Sequence, residues 1–166
     1  MIACVDVHYQ EEVAWAAGIV FNDWADEKGL TSEVIRLDGI ASYEPGQFYR
    51  RELPCLLAVL NRLAPVGTVI VDSYVWLESG HPGLGARLHE SLGRSVAVVG
   101  VAKTRFRSAE GALEVYRGTS ERPLYVSAMG MTVEDAAEKV KSMHGEFRTP
   151  TLLRQVDRLC RDAGTA

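Results

Sequence analysis

No stretch of this sequence approaches the ~18 consecutive apolar residues that a membrane-spanning helix needs, so no membrane association is expected. The N-terminus carries neither the basic n-region nor the small-residue cleavage site of a signal peptide, and a cytoplasmic protein is the expectation. Cysteine is scarce and odd in number. Cys4, Cys55 and Cys160 lie far apart, each within an apolar pattern, which excludes a disulfide framework and the short spacings of a zinc site. Positive charge is also short: the formal net charge of −4 excludes a large basic face, so any nucleic-acid contact must be local. Internal repeats, low-complexity tracts and interdomain linkers are missing as well. What remains is 166 residues, 47% hydrophobic and 24% charged, which suits one globular domain over residues 1–166 with a proper core.

The stretch from Ser42 to Pro54 joins a strand-rich N-terminal part to a helix. Pro45-Gly46 reads as a tight turn, because Pro fixes φ and Gly tolerates a positive φ. Pro54 fits the first turn of a helix, where its missing N–H costs nothing, and Leu53, Leu56, Leu57, Leu60 and Leu63 recur at helical spacing. Glu52 is therefore expected at or just before the helix N-terminus. Two roles stay open for it: a charge that stabilises the helix end, or a metal-binding or catalytic carboxylate with partners elsewhere.

Ile2 to Tyr9 is a short apolar run rich in β-formers and reads as a buried strand. Asp6 is out of place in it, since an unpaired buried carboxylate is expensive, and must be paired, hydrogen-bonded or metal-bound. Strand alternation puts Cys4, Asp6 and His8 on one face. Val13 to Phe21 and Glu33 to Leu37 read as two more strands separated by turn-like sequence, giving an antiparallel meander. Further on, Gly67 to Asp72 is a buried strand ending on a carboxylate. Gly83 to Leu92 is a helix stopped by Gly93, and Ser95 to Lys103 a core strand ending on a lysine. That alternation implies parallel pairing with crossover helices. Ala112 to Arg117 and Pro123 to Ser127 look like two short strands. Thr132 caps a helix with the apolar face Val133, Ala136, Ala137, Val140 and Met143, and Thr149-Pro150 opens the last helix.

A three-strand antiparallel meander followed by parallel strands and flanking helices is the order of an RNase H-like α/β fold with a mixed sheet. There the first strand and the one ending at Asp72 would be neighbours, which brings Asp6 and Asp72 together. Close carboxylates repel unless a cation neutralises them, and hard oxygen ligands suit Mg²⁺ or Mn²⁺. On the residues alone, a metal site and scattered structural acids both stay open.

From Ile2 to about Ala137 the sequence resembles the endonuclease V family, nucleases that cut near deoxyinosine in DNA and, in some members, inosine-containing RNA. The resemblance is carried by Val5-Asp6-Val7, Ser42-Tyr43-Glu44-Pro45-Gly46, Phe48-Tyr49-Arg50-Arg51-Glu52-Leu53-Pro54, Val69-Ile70-Val71-Asp72, His81-Pro82, Val99-Gly100-Val101-Ala102-Lys103 and Leu124-Tyr125-Val126-Ser127, in the family's order and spacing. It implies that Asp6, Glu52 and Asp72 are metal ligands, that Lys103 lies near the scissile phosphate, and that Tyr43 is the wedge beside the lesion. Gly46 would then let backbone approach the displaced base closely. The chain departs from the family where Gly-His-Gly usually follows the central-strand Asp: here Ser73, Tyr74 and Val75 stand instead. The family's Gly-His pair after the Tyr-Val-Ser strand is missing too, with Ala128-Met129-Gly130-Met131 in that region.

Weaker candidates complete the list. His81 is a substrate contact or an exposed loop residue, and His8 a helper of Asp6 or a packing residue. His89 and His144 are expected on helix surfaces. Arg50, Arg51, Arg105 and Arg107 could form a local phosphate-binding strip. Trp15 is expected in the core and Trp76 on a loop near Asp72. The leading expectation is a Mg²⁺- or Mn²⁺-dependent endonuclease that hydrolyses phosphodiester bonds in DNA or RNA, with inosine-containing strands implied by the resemblance. The alternative is a catalytically altered nucleic-acid- or partner-binding homologue. An unrelated α/β enzyme using Glu52 and Asp72 as an acid–base pair is the third.

Overall fold

The structure, a computed structural model, describes residues 1–78, 80–106 and 111–166. Its first strand, β1 (Ile2–Gln10), is apolar on both faces over its first half and so lies mid-sheet, with Ala3 and Cys4 fully buried. On one side it pairs antiparallel with β2 (Val13–Phe21), which pairs antiparallel with β3 (Thr31–Asp38), the expected meander. On the other side β1 pairs parallel with β4 (Thr68–Val71), and β4 parallel with β7 (Ala97–Ala102). Two further strands, β9 (Leu124–Met129) and β8 (Leu113–Val115), extend the sheet antiparallel beyond β7. The seven-stranded order is β3-β2-β1-β4-β7-β9-β8. The expected mixed α/β sheet with flanking helices therefore stands.

Helices cover both faces. Cys55, Leu56 and Val59 of α1 (Phe48–Leu60) and Leu84 and Leu88 of α2 (Leu84–Ser91) pack with Val5, Val69, Val71 and Val98. On the opposite face α3 (Val133–Ser142) and α4 (Thr151–Thr165) set Ala136, Val140, Leu152, Val156 and Cys160 against Cys4, Ile70 and Val99. The Thr132 hydroxyl caps α3 by accepting from the Asp135 N–H at 3.3 Å. α4 begins one residue later than expected, at Thr151, without a side-chain cap. All three cysteines are buried and free. Among the described residues no helix is long and apolar enough to cross a membrane.

Several expectations need correction. α1 does not start at Leu53 but at Phe48, so Pro54 lies inside it. The Gln47 N–H donates to the Glu44 carbonyl and the Arg50 N–H to the Gln47 carbonyl, both at 3.0 Å, so the chain is wound before Pro54 is reached. Pro54 then only withholds the donor that the Arg50 carbonyl would have received. Trp76 is on a strand, β5 (Trp76–Glu78), paired in a small hairpin with β6 (His81–Pro82). His89 is buried, 6% exposed, and donates from Nδ1 to the Val96 carbonyl at 2.7 Å. His144 is exposed as expected, but lies in the loop after α3. Trp15 is only partly buried, packed on the core. His8 and Trp15 both lie against Gly164 near the end of α4, which favours the packing role for His8.

Candidate active site

The site follows from unequal strand lengths. β4 stops at Val71, opposite Val5, while β1 runs on to Gln10. Asp6 therefore stands beside the end of β4, and Asp72 is the first residue past it. β7 is in register with Gly100 opposite Val71, which brings Lys103 beyond the end of the sheet next to Asp72. The Lys103 Nζ donates to Asp72 Oδ2 at 2.6 Å. The carboxyl ends of parallel strands are where open α/β sheets bind ligands. Gly100 is required here: a Cβ on it would come within 2.3 Å of the Ser73 carbonyl, so only glycine lets the chain after Asp72 cross β7. The Ser127 hydroxyl holds that crossing by accepting from the Val75 N–H at 2.9 Å.

Glu52 is not at the helix start. It sits in the second turn of α1, past the reach of the macrodipole, and is only 7% exposed. Its Oε2 accepts from the Tyr9 hydroxyl at 2.9 Å. Burial pushes its carboxyl up to about 8 against the Tyr9 bond, and the charges of Asp6 and Asp72 add to the rise. Asp6 is pushed up to about 7 by burial and by Asp72, with Asp157 adding to it, while the Val7 N–H and Lys103 pull the other way. Burial alone would lower the Lys103 ammonium, but its bond to Asp72 and the charges of Asp72, Asp6 and Asp157 outweigh that. The three expected carboxylates thus act on one another electrostatically, as two acids held near neutral pH and a third in an ion pair.

One member was missed. Asp157, on α4, comes close to Asp6: donor atoms of Asp6, Asp157 and Cys160 all lie within 4.8 Å of one another. Its local signal was weak. Asp157 follows the buried Val156 at the border of the apolar stripe of α4, but nothing in sequence says which strand that stripe covers.

The donor set suits a hard divalent cation. Asp6 and Asp157 have carboxylate oxygens within 4.8 Å of each other, Asp72 and Glu52 interact with Asp6 by charge, and close like charges favour a counter-charge. The one soft donor nearby is held out of that set, since burial pushes the Cys160 thiol up to about 12 and its Sγ donates to the Asp157 carbonyl at 3.1 Å. These oxygen donors fit a divalent cation.

The other candidates scatter. Tyr43 is 60% exposed, before the turn in which Gly46 has a φ of +78°. Arg51 stacks over the Tyr9 ring at 3.7 Å rather than facing solvent with Arg50. Arg105 lines a depression with Asp72, Tyr74, Lys103 and Phe106, whereas Arg107 lies outside the described residues. The expected single arginine strip therefore does not form among the described residues. His81 is exposed in β6, with Nδ1 3.9 Å from Glu78 Oε2 and no bond to the carboxylates. Tyr74 is buried and ties down the chain beyond Lys103: its hydroxyl donates to the Thr104 carbonyl at 2.8 Å and accepts from the Phe106 N–H at 3.2 Å.

Behind the site, Arg117 is 5% exposed, and among the described residues it has no carboxylate partner. It donates to the carbonyls of Phe147 at 2.7 Å, Gly145 at 3.0 Å, and Met143. The loop so held carries Arg148, which donates to the carbonyls of Pro123 at 2.6 Å and of Lys103. The backbone under the site lysine is fixed through this relay.

A family profile described as Endonuclease V matches residues 1–121. The chain is 28% identical to the endonuclease V of Streptomyces avermitilis, over 96% of this chain and 78% of that protein. It shares a fold with human endonuclease V, at a TM-score of 0.81 and 22% identity, covering 99% of this chain and 85% of that one. It also shares one with Ciona intestinalis endonuclease V, solved in complex with a 24mer DNA containing an inosine followed by a ribo-adenosine (TM-score 0.78, 19% identity, 99% and 85% covered).

Proposed function

This chain belongs to the endonuclease V family, and from that premise we propose that it hydrolyses phosphodiester bonds in DNA or RNA with a divalent metal, next to inosine. Asp6, Glu52 and Asp72 hold the metal, with Asp157 as a fourth oxygen donor. The observation that carries this reading is the gathering of acids where the parallel strands end: Asp6 and Asp157 have oxygens within 4.8 Å of each other, and burial and neighbouring acids push Asp6 and Glu52 up to about 7 and about 8. Asp6 accepts one bond from the Val7 N–H and Glu52 one from the Tyr9 hydroxyl, but among the described residues neither has an ion-pair partner, and neighbouring acids raise both. Bound there, Mg²⁺ or Mn²⁺ would acidify a water and offset charge on the phosphate oxygens.

The chain's own groups supply the rest. Lys103, kept charged by Asp72, presents a compact ammonium at the phosphate. Tyr43, exposed ahead of the Pro45-Gly46 turn, fills the gap left when a base leaves the stack, an event that costs a few kcal/mol. Tyr74 and Phe106, beside Asp72 and Lys103, form the altered wall of the base site. His81 and Arg105 are outer contacts to the strand.

The test is cleavage of matched DNA and RNA oligonucleotides, with and without one inosine, under Mg²⁺, Mn²⁺ or chelator at low salt. Metal-dependent cutting confined to inosine strands is the expected result. Asp72→Ala should abolish it with circular dichroism unchanged. An unaltered cleavage rate in that variant sinks the assignment, and tight binding without cutting under either metal favours the binding homologue.

A further inference from the structure

α4 carries Arg154, Arg158 and Arg161, a spacing that sets three guanidinium groups on one exposed face. That face walls an open groove of about 520 Å³ that begins at Lys103. In a chain with a net charge of −4, this concentration of cations leading away from the site is local and directional. Two acids line the groove, Asp157 and Asp162; Asp157 is engaged by Arg161 at 2.8 Å and by the Asp6 cluster. Arg158 has no ion-pair partner among the described residues.

At one end Arg154 stacks over the Phe147 ring at 4.6 Å. Phe147 is 57% exposed, yet its backbone is pinned by Arg117, so the ring is an apolar surface presented from a fixed base. A cationic groove with an exposed aromatic beside it is the arrangement that tracks a single strand: guanidinium groups follow the phosphates, and the ring stacks a base that has no partner. Arg154, Arg158, Arg161 and Phe147 all lie beyond the 1–121 stretch that the family profile matches.

We propose that this face of α4 is a track for the backbone of an unpaired strand leaving the cleavage site, with Phe147 as the stacking surface for one of its bases. The inference rests on the nuclease reading and adds what lies beyond the scissile bond: a single-stranded flank.

The experiment is fluorescence anisotropy with labelled DNA duplexes, with and without a single-stranded extension at either end, over a KCl series. Parent, Arg158→Ala, Arg158→Lys and Phe147→Ala proteins are compared in Ca²⁺ to suppress cutting. The parent should bind the extended duplex more tightly. Arg158→Ala should weaken that binding about three- to tenfold and flatten the slope of log K against log salt by about 0.7, one phosphate contact on a single strand. Arg158→Lys should keep most of the slope. Phe147→Ala should lose about tenfold on the extended duplex alone, with the slope unchanged. Parent-like affinity and slope in both alanine variants overturns the track, and metal-dependent cleavage by the parent then leaves the nuclease reading standing. Tighter binding to polyglutamate than to any oligonucleotide also overturns it, in favour of an acidic protein partner. Failure of the parent to bind or cut any oligonucleotide removes both.

Discussion

Glu52→Gln separates the two reasons for keeping a buried carboxylate. Glu52 is 7% exposed and faces Asp6 and Asp72, and its carboxyl is pushed up from the usual 4.5 to about 8. The folded value lies above the unfolded one, so the folded state holds the proton more tightly. Stability from this group is full below the unfolded value and is lost as pH rises through about 8. At ~1.4 kcal/mol per tenfold change in proton affinity, the ionised site costs on the order of 4 kcal/mol at about pH 8. Gln keeps the volume, cannot ionise, and can still accept the Tyr9 hydroxyl now 2.9 Å away. Its amide N–H groups, left without partners, give back about 1–2 kcal/mol. Net, the metal-free Glu52→Gln protein should be ~2–3 kcal/mol more stable at about pH 8, which is roughly 4–12 °C in Tm at ~2–4 °C per kcal/mol. At about pH 5, where Glu52 holds its proton, the gain should vanish. Thermal melts in chelator across that range read the difference, and cleavage at about pH 8 should fall by at least ~100-fold. A variant less stable than the parent at about pH 8, and still cutting, would refute the reasoning: Glu52 would then be a structural anchor.

Two further outcomes follow from the same site. Mg²⁺ or Mn²⁺ should raise the parent's Tm at about pH 8 and do so far less at about pH 5, because Asp6 and Glu52 must lose protons to bind it; a metal effect that ignores pH counts against the carboxylate site. Arg117→Met should lower stability by about 3 kcal/mol, since buried carbonyls of the 143–148 loop lose their donor. It should also lower kcat more than substrate affinity, because Arg148 no longer fixes the Lys103 backbone; steady-state kinetics and melts on one preparation check both.

Much of the fold was legible because its signals are local. The meander, the strand leading to Asp72, the capped α3 and the stripe of α4 each declare themselves within one turn or a few alternations. Failures came where a local rule met a tertiary override. Pro54 read as a helix start, yet the turn at Glu44–Gln47 and the packing of Tyr49 under Arg87, 3.6 Å from its ring, begin the helix earlier. His89 read as polar and therefore outward, yet the Val96 carbonyl satisfies it inside.

The sequence by itself determined the elements, their order, and that Asp6 could not sit in its strand without a partner, because periodicity and the cost of a buried charge are properties of a few neighbouring residues. Only the tertiary structure decided who that partner is. Whether Asp6 meets Asp72 depends on where β4 stops against β1, and whether it meets Asp157 depends on which face of the sheet α4 covers. Contacts between residues 6 and 157 are set by packing across the whole chain, and no local pattern encodes them.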